Sequence, residues 1–141
     1  MIKDDCIFCK LANGAIPTNT VYEDDEFRVI MDVSPVSKGH CLVIPKEHFD
    51  NALTADSAVL SKAMVIAAEI GKAAVKALKC DGVNILQNNC EAAGQTVFHL
   101  HLHVIPRWDG DGVCLNGKPS EDIKDDLAET AKLLAEACDI G

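Results

Sequence analysis

Residues 94–107 read GQTVFHLHLHVIPR and set three of the chain's five histidines, His99, His101 and His103, at alternate positions. Successive side chains of a strand point to opposite faces, so this spacing predicts a strand with three imidazoles along one face at intervals of roughly 7 Å. Leu100, Leu102 and Val104 occupy the other face, which predicts a core side and a working side. On a helix the same rings spread around the axis and share no site. Each neutral imidazole has a donor and an acceptor to satisfy, so the trio points to metal ligation or to nucleophilic and acid–base chemistry near neutral pH. The structural alternative is a polar strand face that is merely rich in histidine.

The remaining elements are read around that strand. CIFCKLAN, residues 6–13, predicts a short amphipathic helix ended by Asn13 and Gly14. Two β-leaning runs at 21–23 and 27–31, separated by Asp24 and Asp25, predict a hairpin. SPVSKG at 34–39 is a loop, and HCLVIP at 40–45 is an apolar strand. Thr54 is placed to cap a helix running to Lys79, with Ala63, Ile66, Ala67, Ile70 and Ala74 at helical spacing and Gly82 suited to the left-handed closing position. VNILQ makes a fourth strand within 82–87. The acidic DGDG at 109–112 reads as a turn, because it lacks the further spaced oxygen ligands of a cation loop. Ser120 is placed to cap a last helix, with Glu121 and Asp122 in its first turn and Ile123, Leu127, Leu134 and Cys138 on one face. The sum is α+β: a five-stranded antiparallel sheet with two main helices, hairpin-type connections between successive strands, and a single domain over residues 1–141.

Charge and cysteine usage narrow the function. Thirteen Lys and Arg against 22 Asp and Glu leave a formal charge of −9, which argues against sequence-independent nucleic-acid binding but not against a small phosphorylated ligand held by local groups. No apolar run approaches a membrane span. MIKDDCIFC has no apolar leader region, so the expected location is the cytoplasm. Seven cysteines, an odd number, argue against a disulfide framework, and most are expected to be small buried hydrophobes.

Cys6 and Cys9 form the one CxxC. It reads as two apolar contacts on a short helix, or as half of a zinc site completed by His48 and one member of the trio; the strand that a thioredoxin-like motif follows is absent. Four protein ligands leave no open position for water, so such a zinc is structural and two strand histidines stay free for chemistry. A histidine whose Nδ1–H is fixed by a backbone carbonyl presents an Nε2 lone pair that can attack phosphorus, and a neighbouring imidazolium can stabilise the phosphate oxygens and protonate the leaving group.

HLHLHVI preceded by GQTV, with GHCLVIPKEH, CIFCKLANGAIP and YEDDEFRVIMDVSPVSKGH upstream, resembles the histidine triad (HIT) family of nucleotide hydrolases and transferases, in its bacterial Hint-like branch, over about residues 6–107. The resemblance implies a HIT-like fold in a two-fold dimer and a purine nucleotide substrate of AMP or GMP type. It implies cleavage of nucleoside phosphoramidates or acyl and amino nucleotidylates through a nucleotidyl-histidine; a dinucleoside polyphosphate hydrolase and a nucleotide-binding regulatory module are the alternatives. His101 corresponds to the nucleophile, with His103, His40 and Thr96 beside it. Asp32 stands where ribose is bound, Asn88, Gln95 and Thr96 near phosphate, and Ile7, Phe8 and Leu11 at the purine wall. The zinc ligands of the resemblance are Cys6, Cys9, His48 and His99. One departure is the acidic C-terminal helix, where some animal relatives carry an aromatic, proline-rich tail.

Overall fold

The computed structural model describes residues 1–115 and 123–140. Helix α1 (Ile7–Ala12) leads into strands β1 (Thr20–Glu23), β2 (Phe27–Met31) and β3 (Cys41–Pro45). Helix α2 (Ser57–Leu78) follows, then β4 (Gly82–Leu86), a short 3-10 turn at Glu91–Ala93, β5 (Leu102–Arg107) and α3 (Leu127–Ala137). The five strands form one sheet in the order β1-β2-β3-β5-β4, with every neighbouring pair antiparallel. The connection from β3 to β4 is not of hairpin type: α2 crosses the sheet between them, and β5 inserts into the gap. β3 and β4 are therefore parallel to each other, and parallel strands need a crossover.

Register decides what each face does. Val29 opposes Val43, and Met31 opposes Cys41, which opposes Val104; these side chains belong to the core beneath α2 and α3. Ile30 and Leu42 point the other way and pack with Ile44 against Ala12, Phe8 and Leu11 of α1. β3 is buried at every position because a helix covers each of its faces. Leu42 pairs with His103, so His103 emerges on the α1 face.

Element ends differ from the sequence reading at four places. Thr54 does not cap α2: its hydroxyl is bonded to Asn51 in the preceding turn, and Asp56 takes the cap position. α2 ends at the expected place, but the left-handed closing residue is Lys79 (φ 56°) and not Gly82, which opens β4. The observed cap of α3 is Asp126, whose carboxylate accepts the Glu129 N–H. Ser120, Glu121 and Asp122 lie outside the described residues, and Ile123 precedes the helix. The fifth strand begins only at Leu102, because the Leu100 N–H leaves the ladder for the Phe49 carbonyl at 2.7 Å.

All seven cysteines are free thiols; Cys9, Cys41 and Cys80 are buried, but Cys90 and Cys114 are exposed, so burial of most of them does not hold. The DGDG segment is a turn, as read. The Asp111 carboxylate accepts bonds from Arg107 Nε and Nη2 and from the Trp108 and Val113 N–H groups. No helix among the described residues is long and apolar enough to cross a membrane.

Candidate active site and metal centre

His101 donates from Nδ1 to the His99 carbonyl at 2.7 Å. That bond fixes the tautomer and leaves the Nε2 lone pair unprotonated. Burial lowers its pKa, so the ring is neutral at pH 7. The edge-to-face contact with Phe8, at 4.8 Å between centroids, holds the ring plane from the α1 side.

His40 and His103 form a directional pair. The Val36 N–H donates to His40 Nδ1 at 3.1 Å, so the proton of the neutral His40 ring sits on Nε2. That Nε2–H donates to His103 Nδ1 at 2.9 Å and lies 3.4 Å from the Asp32 carboxylate. His103 must then carry its own proton on Nε2, where it is a donor to an anion beside His101. Burial, aided by the neighbouring rings of His101 and His40, pushes His103 down to about 3. Asp32, His40 and His103 are close enough to hold a cation. His40, however, has already committed Nδ1 as an acceptor, and binding metal at Nε2 requires an imidazolate. The hydrogen-bonded chain is the consistent description.

These histidines open on two adjoining cavities. One, of about 500 Å³, is walled by Phe8, Leu11, Ile30, Leu42, Pro17 and Asn19, together with His101, His103 and Asp32. Ile7, half exposed, stands at its edge. The other, of about 440 Å³, lies beyond His103 and His40 among Val36, Leu86, Ile105 and Leu115. Thr96, Asn88 and Asp32 border both. The structure thus gathers every residue that the sequence assigned to catalysis and nucleotide binding.

Gln95 lines the first cavity, but its side-chain amide is buried and already engaged. Its Oε1 accepts from the Cys90 N–H and from Asn51 Nδ2, and its Nε2 donates to the Asp50 and Val97 carbonyls. The amide thereby ties down the loop that presents Thr96.

On the other side of His99 lies a second cluster. Cys6 Sγ and Cys9 Sγ each lie 3.4 Å from His99 Nδ1, and Cys9 Sγ lies 3.4 Å from His48 Nδ1. A tetrahedral zinc with ordinary Zn–S and Zn–N bonds sets sulfur and nitrogen about 3.5 Å apart, so the donor set fits a closed four-coordinate site. Both outer nitrogens are fixed, His99 Nε2 to the Pro45 carbonyl at 2.8 Å and His48 Nε2 to Asp50 at 2.9 Å. Burial pushes His99 down to about 4, which keeps it in the neutral form that a metal needs.

Several contributing residues escaped the sequence reading. Asp50 had one available signal, an acid two residues after a candidate ligand histidine. Val36, Asn51 and Asn19 had none, since they act through backbone groups, through a distant amide or as loop wall.

Comparison with known proteins agrees with this arrangement. Residues 13–110 match the HIT domain. The adenylylsulfatase HINT3 of Arabidopsis thaliana is 41% identical over 110 residues, covering 78% of this chain and 56% of that protein. The crystal structure of a Hit-like protein involved in cell-cycle regulation from Bartonella henselae superposes with a TM-score of 0.84 at 39% identity, over 96% of this chain and 97% of that one. A Zn-bound histidine triad family protein from Mycobacterium smegmatis gives 0.84 at 36% identity, over 94% and 92%. With the domain match, the relatives and the fold in agreement, the chain belongs to the histidine triad (HIT) family.

Proposed function

We propose that the protein is a nucleotide hydrolase that cleaves purine nucleoside phosphoramidates, or acyl and amino nucleotidylates, through a nucleotidyl-histidine intermediate on His101. The observation that carries this reading is the 2.7 Å bond from His101 Nδ1 to the His99 carbonyl, which leaves Nε2 as a lone pair on the wall of a nucleotide-sized cavity. His101 Nε2 attacks the α-phosphorus, a P–N bond to the ring forms, and the bond to the leaving group breaks. A phosphoramidate nitrogen takes its proton from solvent before its bond to phosphorus breaks, so the amine leaves neutral, whereas an acylate leaves as the anion and takes none; His103 Nε2–H donates to the phosphate oxygens as charge develops. Water then attacks phosphorus, the P–N bond breaks with its electron pair returning to His101 Nε2, the proton of the attacking water passes to solvent, and the monophosphate leaves. Phe8 and Leu11 form the wall for the base, Asp32 faces the ribose, and Asn88 and Thr96 border the phosphate. Gln95 holds the loop behind them.

The adenylylsulfatase activity named for the Arabidopsis relative supports cleavage of an adenylyl group from an acid leaving group. Cys6, Cys9, His48 and His99 hold zinc in this reading, and its contribution is structural.

The decisive experiment compares the parent and His101→Ala on adenosine and guanosine phosphoramidates and on dinucleoside polyphosphates. The expected outcome is turnover of phosphoramidates by the parent and a loss of at least about a thousandfold in the variant. Parent-level turnover by His101→Ala overturns the nucleophile. Binding without turnover by the parent establishes a regulatory module instead, and preferred cleavage of the polyphosphates establishes the alternative hydrolase.

A further inference from the structure

His40 reaches His103 from the end of the loop at 34–39, and loops hold such positions only when tied to rigid elements. Four ties fix this one. The buried Ser37 hydroxyl donates to the Pro106 carbonyl of β5 at 2.7 Å. The Asp32 N–H donates to the His40 carbonyl at 2.9 Å. Gly39, at φ +84°, packs so tightly that a Cβ would stand 2.4 Å from Leu78 Cδ1 of α2. Finally, the buried Gly39 N–H donates to Asp125 Oδ2 at 2.9 Å, across 86 residues of chain.

The last tie comes from outside residues 13–110, the part that matches the HIT domain. Asp125 immediately precedes the cap of α3, and its other carboxylate oxygen accepts from the Thr130 hydroxyl. Thr130 is buried, and its helix is anchored in the core by Ala131 and Leu134. The carboxylate is thus held by α3 and aimed at the peptide N–H one residue before His40. Gly39 has no side chain with which to stabilise its own conformation. If its N–H loses this acceptor, the turn is left to its other three ties, and the His40 ring is held less firmly against His103.

We propose that Asp125 is a positioning residue for the histidine cluster: by joining the Gly39 N–H to α3 through Thr130, it holds the turn from which His40 orients His103. The inference rests on the catalytic reading given above, but its structural half is measurable without substrate.

The test uses Asp125→Ala, Asp125→Asn and, as a control, Asp126→Ala, which removes the α3 cap without touching Gly39. Each is assayed on an adenosine phosphoramidate, and its imidazole tautomers are read by long-range nitrogen NMR. Asp125→Ala is expected to lower kcat at least tenfold with KM within twofold, because His40 and His103 act on the phosphate and not on the base. The Nε2–H signal of His40 should lose its hydrogen-bonded shift in the same variant. Asp125→Asn keeps an acceptor for Gly39 and should stay within threefold of the parent, as should Asp126→Ala. If Asp125→Ala does not fold, Thr130→Val, which frees the carboxylate to swing, carries the test with an expected loss in kcat of at least fivefold. Unchanged tautomers and kcat on removal of the tie overturn the proposal, and so does an equal loss in Asp126→Ala. Absence of turnover in the parent defeats the catalytic reading alone, since the tautomer comparison stands without it.

Discussion

At the scale of single residues, the unusual property of this site is that its imidazoles are held neutral by burial rather than charged by partners. Burial dominates at both His40 and His103, with Asp32 offering only a partial counterweight at His40. The folded chain therefore refuses protons that the unfolded chain, with histidines near 6.5, accepts. Above pH 6.5 neither state binds them, and this contribution to stability is fully present. As pH falls from 6.5 towards the folded value of about 3 for His103, the unfolded state gains protons and stability is lost. Each such histidine costs at most about 2 kcal/mol at pH 5. Urea unfolding of the parent should accordingly show a lower midpoint at pH 5 than at pH 7.5, and His103→Gln should narrow the gap. An unchanged midpoint across that range would mean that the cluster carries a proton in the native state.

At the scale of elements, α1 depends on its surroundings. Six residues do not sustain a helix in water, since nucleation is unfavourable and few intrahelical bonds repay it. What holds α1 is the packing of Ala12, Phe8 and Leu11 on β2 and β3, and the convergence of Cys6 and Cys9 on His48 and His99. Because Phe8 and Leu11 also wall the cavity beside His101, the candidate metal site and the proposed base-binding wall share one short helix. Chelation, or Cys9→Ser, should therefore lower Tm by roughly 5–10 °C, a stability loss of about 2–3 kcal/mol in a domain of this size. It should raise KM more than it lowers kcat in protein that remains folded. Immediate loss of kcat on chelation, with Tm unmoved, would instead make the metal a participant in the chemistry.

The same elements show what was legible in the sequence. Strand positions 27–31 and 40–45 could be read because their apolar runs reflect burial, and burial is written in side-chain type. The histidine strand was overextended at its start for the same reason. Alternation reports which face a side chain takes, but not whether its N–H is paired; residues 99 to 101 alternate while Leu100 bonds to Phe49. Cys6 and Cys9 were visible as a pair. That His99, and not another member of the trio, completes their cluster depends on a fold that brings positions 93 residues apart within 3.4 Å, and only family resemblance pointed there. Asp125 gave no signal, because its role is to accept one backbone N–H.

At the scale of the whole molecule, the sheet has two edge strands, β1 and β4, that are not equivalent. β1 is interrupted by a bulge between Thr20 and Tyr22, and its Glu23 pairs with Arg28 and Lys46, features that discourage strand addition. β4 is regular, reads GVNIL without a charge, and leaves Ile85 partly exposed. Beside it on the helical layer, α2 leaves Met64, Val65 and Val75 about half exposed. A regular uncharged edge flanked by aliphatic side chains is an aggregation hazard if left open, and pairing of two copies through α2 and β4 would remove it. We therefore expect a two-fold dimer joined across this edge, as the family resemblance implied. Light scattering after size exclusion should give twice the chain mass for the parent. Ile85→Lys, which puts a charge on the exposed face of the edge strand, should shift the protein towards the monomer while retaining the folded circular dichroism spectrum. A parent that remains monomeric at about 100 µM would leave β4 unpaired, and the protection of that edge would then have to come from elsewhere in the chain.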